Sequence, residues 1–220
     1  MKLEHQGIGM TSQRSRNRLV EQLRVMGIKS EHILEAIKNT PRHMFVDEAL
    51  GSRAYDNVAL PIGYNQTISQ PYIVARMTEA LLDGEQKLNN VLEIGTGCGY
   101  QTLILSAFAD QVSTIERIQA LLAKARERFY LLKCKNIRAM NGDGNLGWPE
   151  YAPYDGILVG AAPVGVPPQL LDQLSINGRL LIPVGKSGSQ QLLQITRTEE
   201  GFKEKRLDTV SFVPMLGGIS

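Results

Sequence analysis

The sequence predicts an α/β fold built on a mostly parallel sheet, and three features of the 220-residue chain support this prediction. From residue 90 onward, five short apolar runs alternate with segments of helical spacing, a pattern typical of βαβ units. Two more strand-like runs follow Ser187-Gly188-Ser189 and indicate an antiparallel pair at one edge of the sheet. Before residue 90 the apolar residues recur at helical spacing, so a helical segment is expected to precede the sheet.

Seven strands with helices on both faces of the sheet are the expected architecture. Such an arrangement is a Rossmann-like, doubly wound sheet, mostly parallel and with an antiparallel edge. The predicted strands span 90–95, 111–116, 136–143, 154–160, 178–185, 190–198 and 205–215, and predicted helices lie around 100–108, 118–133 and 168–174.

Three predicted helices make up the N-terminal part of the chain. Apolar residues recur at i, i+4 and i+7 from Leu19, and a second helix follows Ser30, whose side chain suits an N-cap. A third helix is predicted to begin near Pro71. We expect a single domain over residues 1–220, with a helical part over 1–88 and the sheet over 89–220.

The composition and the net charge exclude few classes of protein, but they indicate the general type of chain. With 43% hydrophobic and 21% charged residues, the chain has the composition of an ordinary soluble globule. A net charge of +2 gives no support to binding of nucleic acid or a membrane through bulk electrostatics. Cys98 and Cys134 form no CxxC pair, so neither a disulfide framework nor a metal site is expected. Without a secretory signal or a long apolar stretch, the chain is expected to be soluble and cytoplasmic. We also expect it to be a monomer.

The turn after the first predicted strand, in VLEIGTGCGYQT, contains Gly95, Gly97 and Gly99. Glycines at a strand-to-helix turn let a ligand approach the backbone N–H groups closely. A dinucleotide fingerprint would require Gly or Ala at position 100, where this chain has Tyr100. The turn alone is a weak signal, and a tight turn without a ligand is the simpler alternative.

Two acidic residues follow the next strands and strengthen the case for a ligand site. Glu116 ends the second strand, about 20 residues beyond the glycines, where an acid in nucleotide-binding sheets accepts hydrogen bonds from ribose hydroxyls. Asp143, in NGDG, ends the third strand at the edge where open α/β sheets bind ligands. Taken singly, Glu116 could be an exposed strand-end carboxylate and Asp143 part of an Asx turn. Three such features on adjacent strands favour a binding site.

These residues resemble the first motif of the S-adenosylmethionine-dependent methyltransferases, E/D-x-G-x-G-x-G, which here reads EIGTGCG from Glu93 to Gly99. Further segments narrow the resemblance to the protein-L-isoaspartate O-methyltransferase family, which repairs isomerised aspartyl residues. Those segments are LPIGYNQTISQPYIVARM, NGDG, YDGILVGAAP and GRLLIPVG. The resemblance extends over residues 12 to 215, nearly the whole chain.

The resemblance implies S-adenosyl-L-methionine as the cofactor. The glycines of the turn would line its methionine and ribose parts, Glu116 would hold the ribose hydroxyls, and Asp143 with Gly144 would contact the adenine. The segment 160–163 would lie beneath the reacting centre. The full implied set of cofactor-binding residues is Glu93, Gly95, Thr96, Gly97, Gly99, Glu116, Arg117, Gly142, Asp143 and Gly144.

The resemblance also implies the substrate, which is an L-isoaspartyl or D-aspartyl residue in a damaged protein or peptide. Thr67, Ile68 and Ser69, in NQTISQPYIVA, would contact the substrate carboxylate, and Ser69 is the residue usually called catalytic in this family. Methyl transfer to this carboxylate needs no general base, because a carboxyl group with a pKa near ~4 is already ionised. It needs no general acid, because the leaving group is a neutral thioether. The stretch contains no histidine, cysteine or carboxylate, as this chemistry allows.

Ser69 also has a purely structural interpretation, since it stands just before Pro71 where a helix N-cap is expected. The two roles are compatible, because the N-terminus of a helix attracts a carboxylate.

Three alternatives remain open at the level of the sequence. One is another S-adenosylmethionine-dependent methyltransferase. A second is an NAD-dependent oxidoreductase, which Tyr100 and the lack of a catalytic histidine or Tyr-x-x-x-Lys pair oppose. The third is a nucleotide-binding module without catalytic activity.

Overall fold

The computed structural model describes residues 11–85 and 87–220 of the chain. Its N-terminal part contains α1 (Gln13–Val25) and α2 (Glu31–Asn39), both predicted from apolar spacing. The Ser30 side chain accepts a hydrogen bond from the backbone N–H three residues later at 3.4 Å, which confirms the predicted N-cap. Two 3₁₀ turns follow, Arg42–Phe45 and Glu48–Arg53.

A short antiparallel hairpin, β1 (Leu60–Gly63) and β2 (Gln66–Ile68), precedes the third helix. The sequence pattern predicts no strand in this part of the chain, and the structure adds this hairpin to the helices. Tyr64 and Asn65 at the turn have φ angles of 53° and 56°, which are the left-handed values that a tight hairpin turn requires. Strands of 4 and 3 residues are too short for an alternating pattern to stand out in the sequence.

The third helix, α3 (Pro71–Leu82), begins at the predicted proline. Its buried side chains include Met77 and Leu81, which pack in the hydrophobic core. On the other side of the same helix, Glu79 Oε1 accepts hydrogen bonds from the Lys29 N–H at 2.8 Å and the Ser30 N–H at 2.9 Å. Glu79 therefore fastens the start of α2 to α3.

Seven strands of the described residues form one sheet in the order β5-β4-β3-β6-β7-β8-β9. The pairs from β5 to β7 are parallel, and β8 is antiparallel to both of its neighbours. This confirms the predicted Rossmann-like sheet with an antiparallel edge. The strands are β3 (Leu88–Ile94), β4 (Ala109–Glu116), β5 (Ile137–Asn141), β6 (Tyr154–Val159), β7 (Leu174–Val184), β8 (Gln190–Thr198) and β9 (Gly201–Val210).

The last strand differs most from its predicted range. It begins at Gly201 and ends at Val210, so residues 211–215 leave the sheet. The side chain of Gln190 explains the departure, because it binds the backbone of Phe212 with both ends of its amide, at 2.6 Å to the N–H and 3.0 Å to the carbonyl. The freed segment crosses to the carboxyl ends of the parallel strands, where Pro214 pairs with Ala162.

Helices cover both faces of the sheet and bury two hydrophobic clusters. Side chains alternate along each strand, so Val91 packs in the cluster under the N-terminal helices while the adjacent Leu92 packs in the opposite cluster. None of the described helices is long and apolar enough to cross a membrane. The remaining helices are α4 (Tyr100–Ser106), α5 (Gln119–Leu131) and α6 (Pro168–Asp172).

The Glu79 contact predicts a stability effect. Glu79→Ala should lower the free energy of unfolding by about 2 kcal/mol, because two backbone N–H groups lose a charged acceptor. Glu79→Gln keeps one acceptor oxygen and should lose about half as much. Urea unfolding of both variants measures this. Equal stability of Glu79→Ala and the wild type would show that the contact contributes nothing.

Candidate active site

A cleft of about 560 Å³ lies at the carboxyl ends of the parallel strands, and we call it the main cleft. It is bordered on one side by the turn after β3 and on the other by the β1–β2 hairpin and the start of α3. Its size is typical of a site for a small molecule. The main cleft brings together seven of the residues implied by the sequence, namely Thr67, Ser69, Gly95, Gly97, Glu116, Arg117 and Gly144.

The glycine turn has a backbone that only glycine adopts without strain. Gly95 has a φ of 91° and Gly97 a φ of 53°, and both line the main cleft. Gly99 is different, because a Cβ atom there would lie 2.7 Å from the ring of Phe129 on α5. The structure therefore gives Gly99 a packing role, since it lets the turn approach α5, and Gly99 does not line the main cleft.

Glu116 joins the turn after β3 to the end of β4. Its carboxylate accepts a hydrogen bond from the Gly97 N–H at 2.8 Å and another from the Ile118 N–H at 2.9 Å. The side chain is buried except for its face toward the main cleft. A carboxylate held in this way keeps lone pairs on both oxygens for the hydroxyl groups of a ligand.

Glu93 and Thr96 lie beneath the turn, beside a smaller inner cavity of about 50 Å³. Thr102 and Thr114 both donate to Glu93 Oε2, whereas Glu93 Oε1 is buried and has no hydrogen-bond partner among the described residues. Burial raises the pKa of Glu93 to about 8 despite the two hydroxyl donors. A buried acceptor without a partner, directly under a glycine turn, fits the polar group of a ligand.

Asp143 ends β5, as expected, but its carboxylate is already engaged by the chain. Oδ1 accepts from the Asn145 N–H at 2.9 Å, and Oδ2 accepts from the Gly218 N–H at 2.7 Å. These hydrogen bonds from backbone and side-chain donors keep the pKa of Asp143 below its usual value, against the opposing effect of desolvation. Neither Asp143 nor Gly142 lines the main cleft, whereas Gly144 does.

The hairpin and the start of α3 carry the implied substrate residues. Thr67 and Ser69 face the main cleft, while the Ile68 side chain is buried and faces the inner cavity. The capping role considered for Ser69 is wrong, because the N-cap of α3 is Gln70 and neither side chain caps the helix. The cap comes instead from Asn57, whose Oδ1 accepts from the Tyr72 N–H at 3.0 Å.

The Ser69 hydroxyl therefore does not cap α3. No hydrogen bond of this hydroxyl occurs within residues 11–85 and 87–220. The N-terminus of α3 also offers fewer free N–H groups than expected, because Pro71 has none and that of Tyr72 is taken by Asn57. The hydroxyl and the hairpin, more than the helix end, remain available to a substrate carboxylate.

Two segments complete the wall of the main cleft. Gly160 and Ala161, just after β6, line one part of it. The sequence pattern places residues 209–215 in the last strand and so does not predict that residues 209–216 line the main cleft. Pro214, which cannot donate to a sheet ladder, is the sequence signal for the end of that strand.

The chemistry available in the main cleft is limited. Among the described residues that line it, Glu116 and Arg117 are the only ionisable side chains. His32 and His43 lie elsewhere, and His5 is outside the described residues. The lining thus holds no histidine, cysteine or lysine to act as a base, and it suits a reaction whose nucleophile is ionised before it binds.

Comparison with known proteins identifies the family of the chain. The model of the family described as protein-L-isoaspartate(D-aspartate) O-methyltransferase matches residues 14–220. Protein-L-isoaspartate O-methyltransferase 1 of Nitrosococcus oceani is 57% identical over 213 residues, which are 96% of this chain and 100% of that protein. The protein-L-isoaspartate O-methyltransferase of Halorhodospira halophila is 54% identical over 96% of both chains.

Solved structures give the same result. A protein-L-isoaspartate O-methyltransferase superposes with a TM-score of 0.84 and 26% identity, covering 93% of this chain and 67% of that one. A beta-aspartate methyltransferase from Plasmodium falciparum, in complex with S-adenosyl-L-homocysteine, superposes with a TM-score of 0.79 and 25% identity. That match covers 91% of this chain and 98% of the other. The chain therefore belongs to the protein-L-isoaspartate(D-aspartate) O-methyltransferase family.

Proposed function

We propose that the protein transfers a methyl group from S-adenosyl-L-methionine to the free carboxylate of L-isoaspartyl residues, and of D-aspartyl residues, in damaged proteins and peptides. One observation carries the proposal. A single cleft joins the glycine turn and Glu116 to Thr67 and Ser69, and among the described residues its lining contains no histidine, cysteine or lysine. A cofactor and an anionic substrate can therefore meet there without proton transfer.

The residues of the main cleft fit the cofactor. Gly95 and Gly97 would let the backbone approach it, Glu116 would hold ribose hydroxyls, and Gly144 would lie against the adenine. Beside the inner cavity, Glu93 Oε1, a buried oxygen without a partner among the described residues, would suit the ammonium group of the methionine part, which would favour the ionised form of the carboxyl group. When bound, S-adenosyl-L-methionine would supply a methyl group attached to a positively charged sulfur. As the methyl carbon bonds to the carboxylate oxygen, its bond to the sulfur breaks, and the sulfur leaves as a neutral thioether.

The protein's contribution is then to position the two reactants and to exclude water. Holding the substrate carboxylate at near-attack distance can lower the barrier by up to roughly 7–11 kcal/mol. Ser69 would orient the carboxylate through a hydrogen bond from its hydroxyl. It would not activate the carboxylate, because a donated hydrogen bond withdraws charge from a nucleophile.

The activity itself is the first test. Purified protein with S-adenosylmethionine carrying a labelled methyl group should label a peptide that contains L-isoaspartate, and the product should be a base-labile ester. The same peptide with ordinary L-aspartate is the control and should stay unlabelled, and a D-aspartyl peptide tests the wider specificity. Binding of NADH but not of S-adenosylhomocysteine in calorimetry would favour an oxidoreductase instead.

Ser69 and Asn57 form a matched pair of variants. Ser69→Ala should lower turnover of the isoaspartyl peptide about 10- to 100-fold while leaving the unfolding free energy and cofactor affinity nearly unchanged. Asn57→Ala should cost about 1 kcal/mol of stability, because it removes the cap of α3. Thermal unfolding, calorimetry and steady-state kinetics separate the two effects. A loss of stability in Ser69→Ala would contradict the assignment.

Glu93 makes the stability of the unliganded protein depend on pH. Its pKa is about 8 in the folded protein and near ~4.3 in the unfolded chain, so the folded state binds the extra proton between these values. Stability should therefore fall as the pH rises from about 4.5 to 8. Glu93→Gln mimics the neutral acid and should match the wild type at pH 5 but exceed it by up to about 4 kcal/mol at pH 8.

Urea unfolding of both proteins at several pH values measures the difference. A difference between Glu93→Gln and the wild type that does not change from pH 5 to pH 8 would show that Glu93 is ionised in the folded protein.

A further inference from the structure

Arg42 is a buried cation for which the described residues offer no carboxylate. Its side chain is fully buried, and no ion pair involves it in residues 11–85 and 87–220. Nη2 donates to the carbonyl oxygen of Ser69 at 2.8 Å and approaches that of Val58 at 3.4 Å. Nε and Nη1 have no hydrogen-bond partner among these residues.

Burying an arginine in this way costs free energy, and a purely structural role does not require that cost. Removing a guanidinium from water costs several kcal/mol, and an apolar side chain of similar volume usually stabilises a core as well or better. The compensation here is partial, since it consists of the carbonyl groups of Ser69 and Val58 and the face of Tyr100, whose ring centroid lies 4.8 Å from Arg42 Cζ. A cation kept at this cost, next to the main cleft, points to a role in the site.

Two of these partners of Arg42, Ser69 and Tyr100, belong to the two halves of that site. Ser69 lies at the end of the hairpin that faces the substrate side of the main cleft. Tyr100 is the first residue of α4, directly after the glycine turn, and its ring is buried. One rigid guanidinium therefore touches both the loop that would bind the substrate and the turn that would bind the cofactor.

We propose that Arg42 is a positioning residue that sets the place of Ser69 relative to the glycine turn, an inference that rests on the proposed function. The hydrogen bond to the Ser69 carbonyl orients the peptide that follows Ser69. The Gln70 side chain holds the same segment from the other side, by donating to the Asn57 carbonyl at 2.9 Å. Arg42 makes no contact with the reacting groups and acts through Ser69.

Arg42→Lys and Arg42→Met test this, with Arg179→Lys as the matched control. Arg179 is an arginine whose side chain is 11% exposed and which also donates to backbone carbonyls, those of Leu81 and Leu82, but at the far end of α3. Turnover of an isoaspartyl peptide should fall about 10-fold in Arg42→Lys, because an ammonium cannot span Ser69 and Tyr100 together. It should fall about 100-fold in Arg42→Met and stay within about 3-fold in Arg179→Lys.

A double-mutant cycle of Arg42 and Ser69 separates action through Ser69 from a general structural role of Arg42. If Arg42 acts through Ser69, Arg42→Lys should change kcat by less than about 2-fold when Ser69→Ala is already present. The affinity for S-adenosylhomocysteine, measured by calorimetry, should change by less than about 3-fold in both Arg42 variants. If Arg42→Met does not fold, the cycle with Arg42→Lys decides the matter alone.

Two results would overturn the inference. One is a wild-type kcat in Arg42→Lys. The other is the same loss of kcat from Arg42→Lys in the wild-type and the Ser69→Ala backgrounds, which would mean a general effect on the fold. A wild-type protein that does not methylate the isoaspartyl peptide would instead contradict the proposed function, so the two failures are distinguishable.

Discussion

One buried carboxylate, that of Glu116, organises the edge of the sheet that carries the main cleft. It accepts the N–H of Gly97 from the turn after β3 and the N–H of Ile118 from the segment that leads into α5. These two loops start from neighbouring parallel strands and would otherwise have unpaired donors at a buried position. Because Glu116 holds both, the glycine turn keeps the open, left-handed shape that lines the main cleft.

Near Glu116, the interior beneath the glycine turn contains several hydroxyl groups and very few charged side chains. Thr102 and Thr114 serve Glu93, and Thr96 shares a hydrogen bond of 2.7 Å with Thr114. These four side chains form a polar layer beneath the turn, in which only Glu93 Oε1 lacks a hydrogen-bond partner among the described residues. A low-dielectric layer of this kind strengthens any charge interaction made with a ligand above it, at a cost to the empty protein.

The main cleft needs few ionisable side chains, because the reaction proposed for it requires neither a general base nor a general acid. A carboxylate that is ionised in water needs a defined place beside an electrophile and protection from solvent, and both are tasks for backbone geometry. Three elements form walls of the main cleft, namely the β1–β2 hairpin, the glycine turn and residues 209–216. Their relative placement determines how the two reactants would meet. Long-range polar contacts, such as that of Arg42 with the Ser69 carbonyl, set this placement.

The sequence by itself determined the order of helices and strands apart from the β1–β2 hairpin, the parallel sheet with its antiparallel edge, the N-cap at Ser30 and the positions of the glycines and acids at the strand ends. All of these depend on interactions between residues close along the chain or on a short apolar period. Only the tertiary structure decided that Asn57 caps α3, that Gly99 packs against Phe129 and that residues 211–215 leave the last strand to enclose the main cleft. Those outcomes depend on contacts between residues far apart in the chain, such as Gln190 with Phe212, and no local pattern encodes which distant groups will meet.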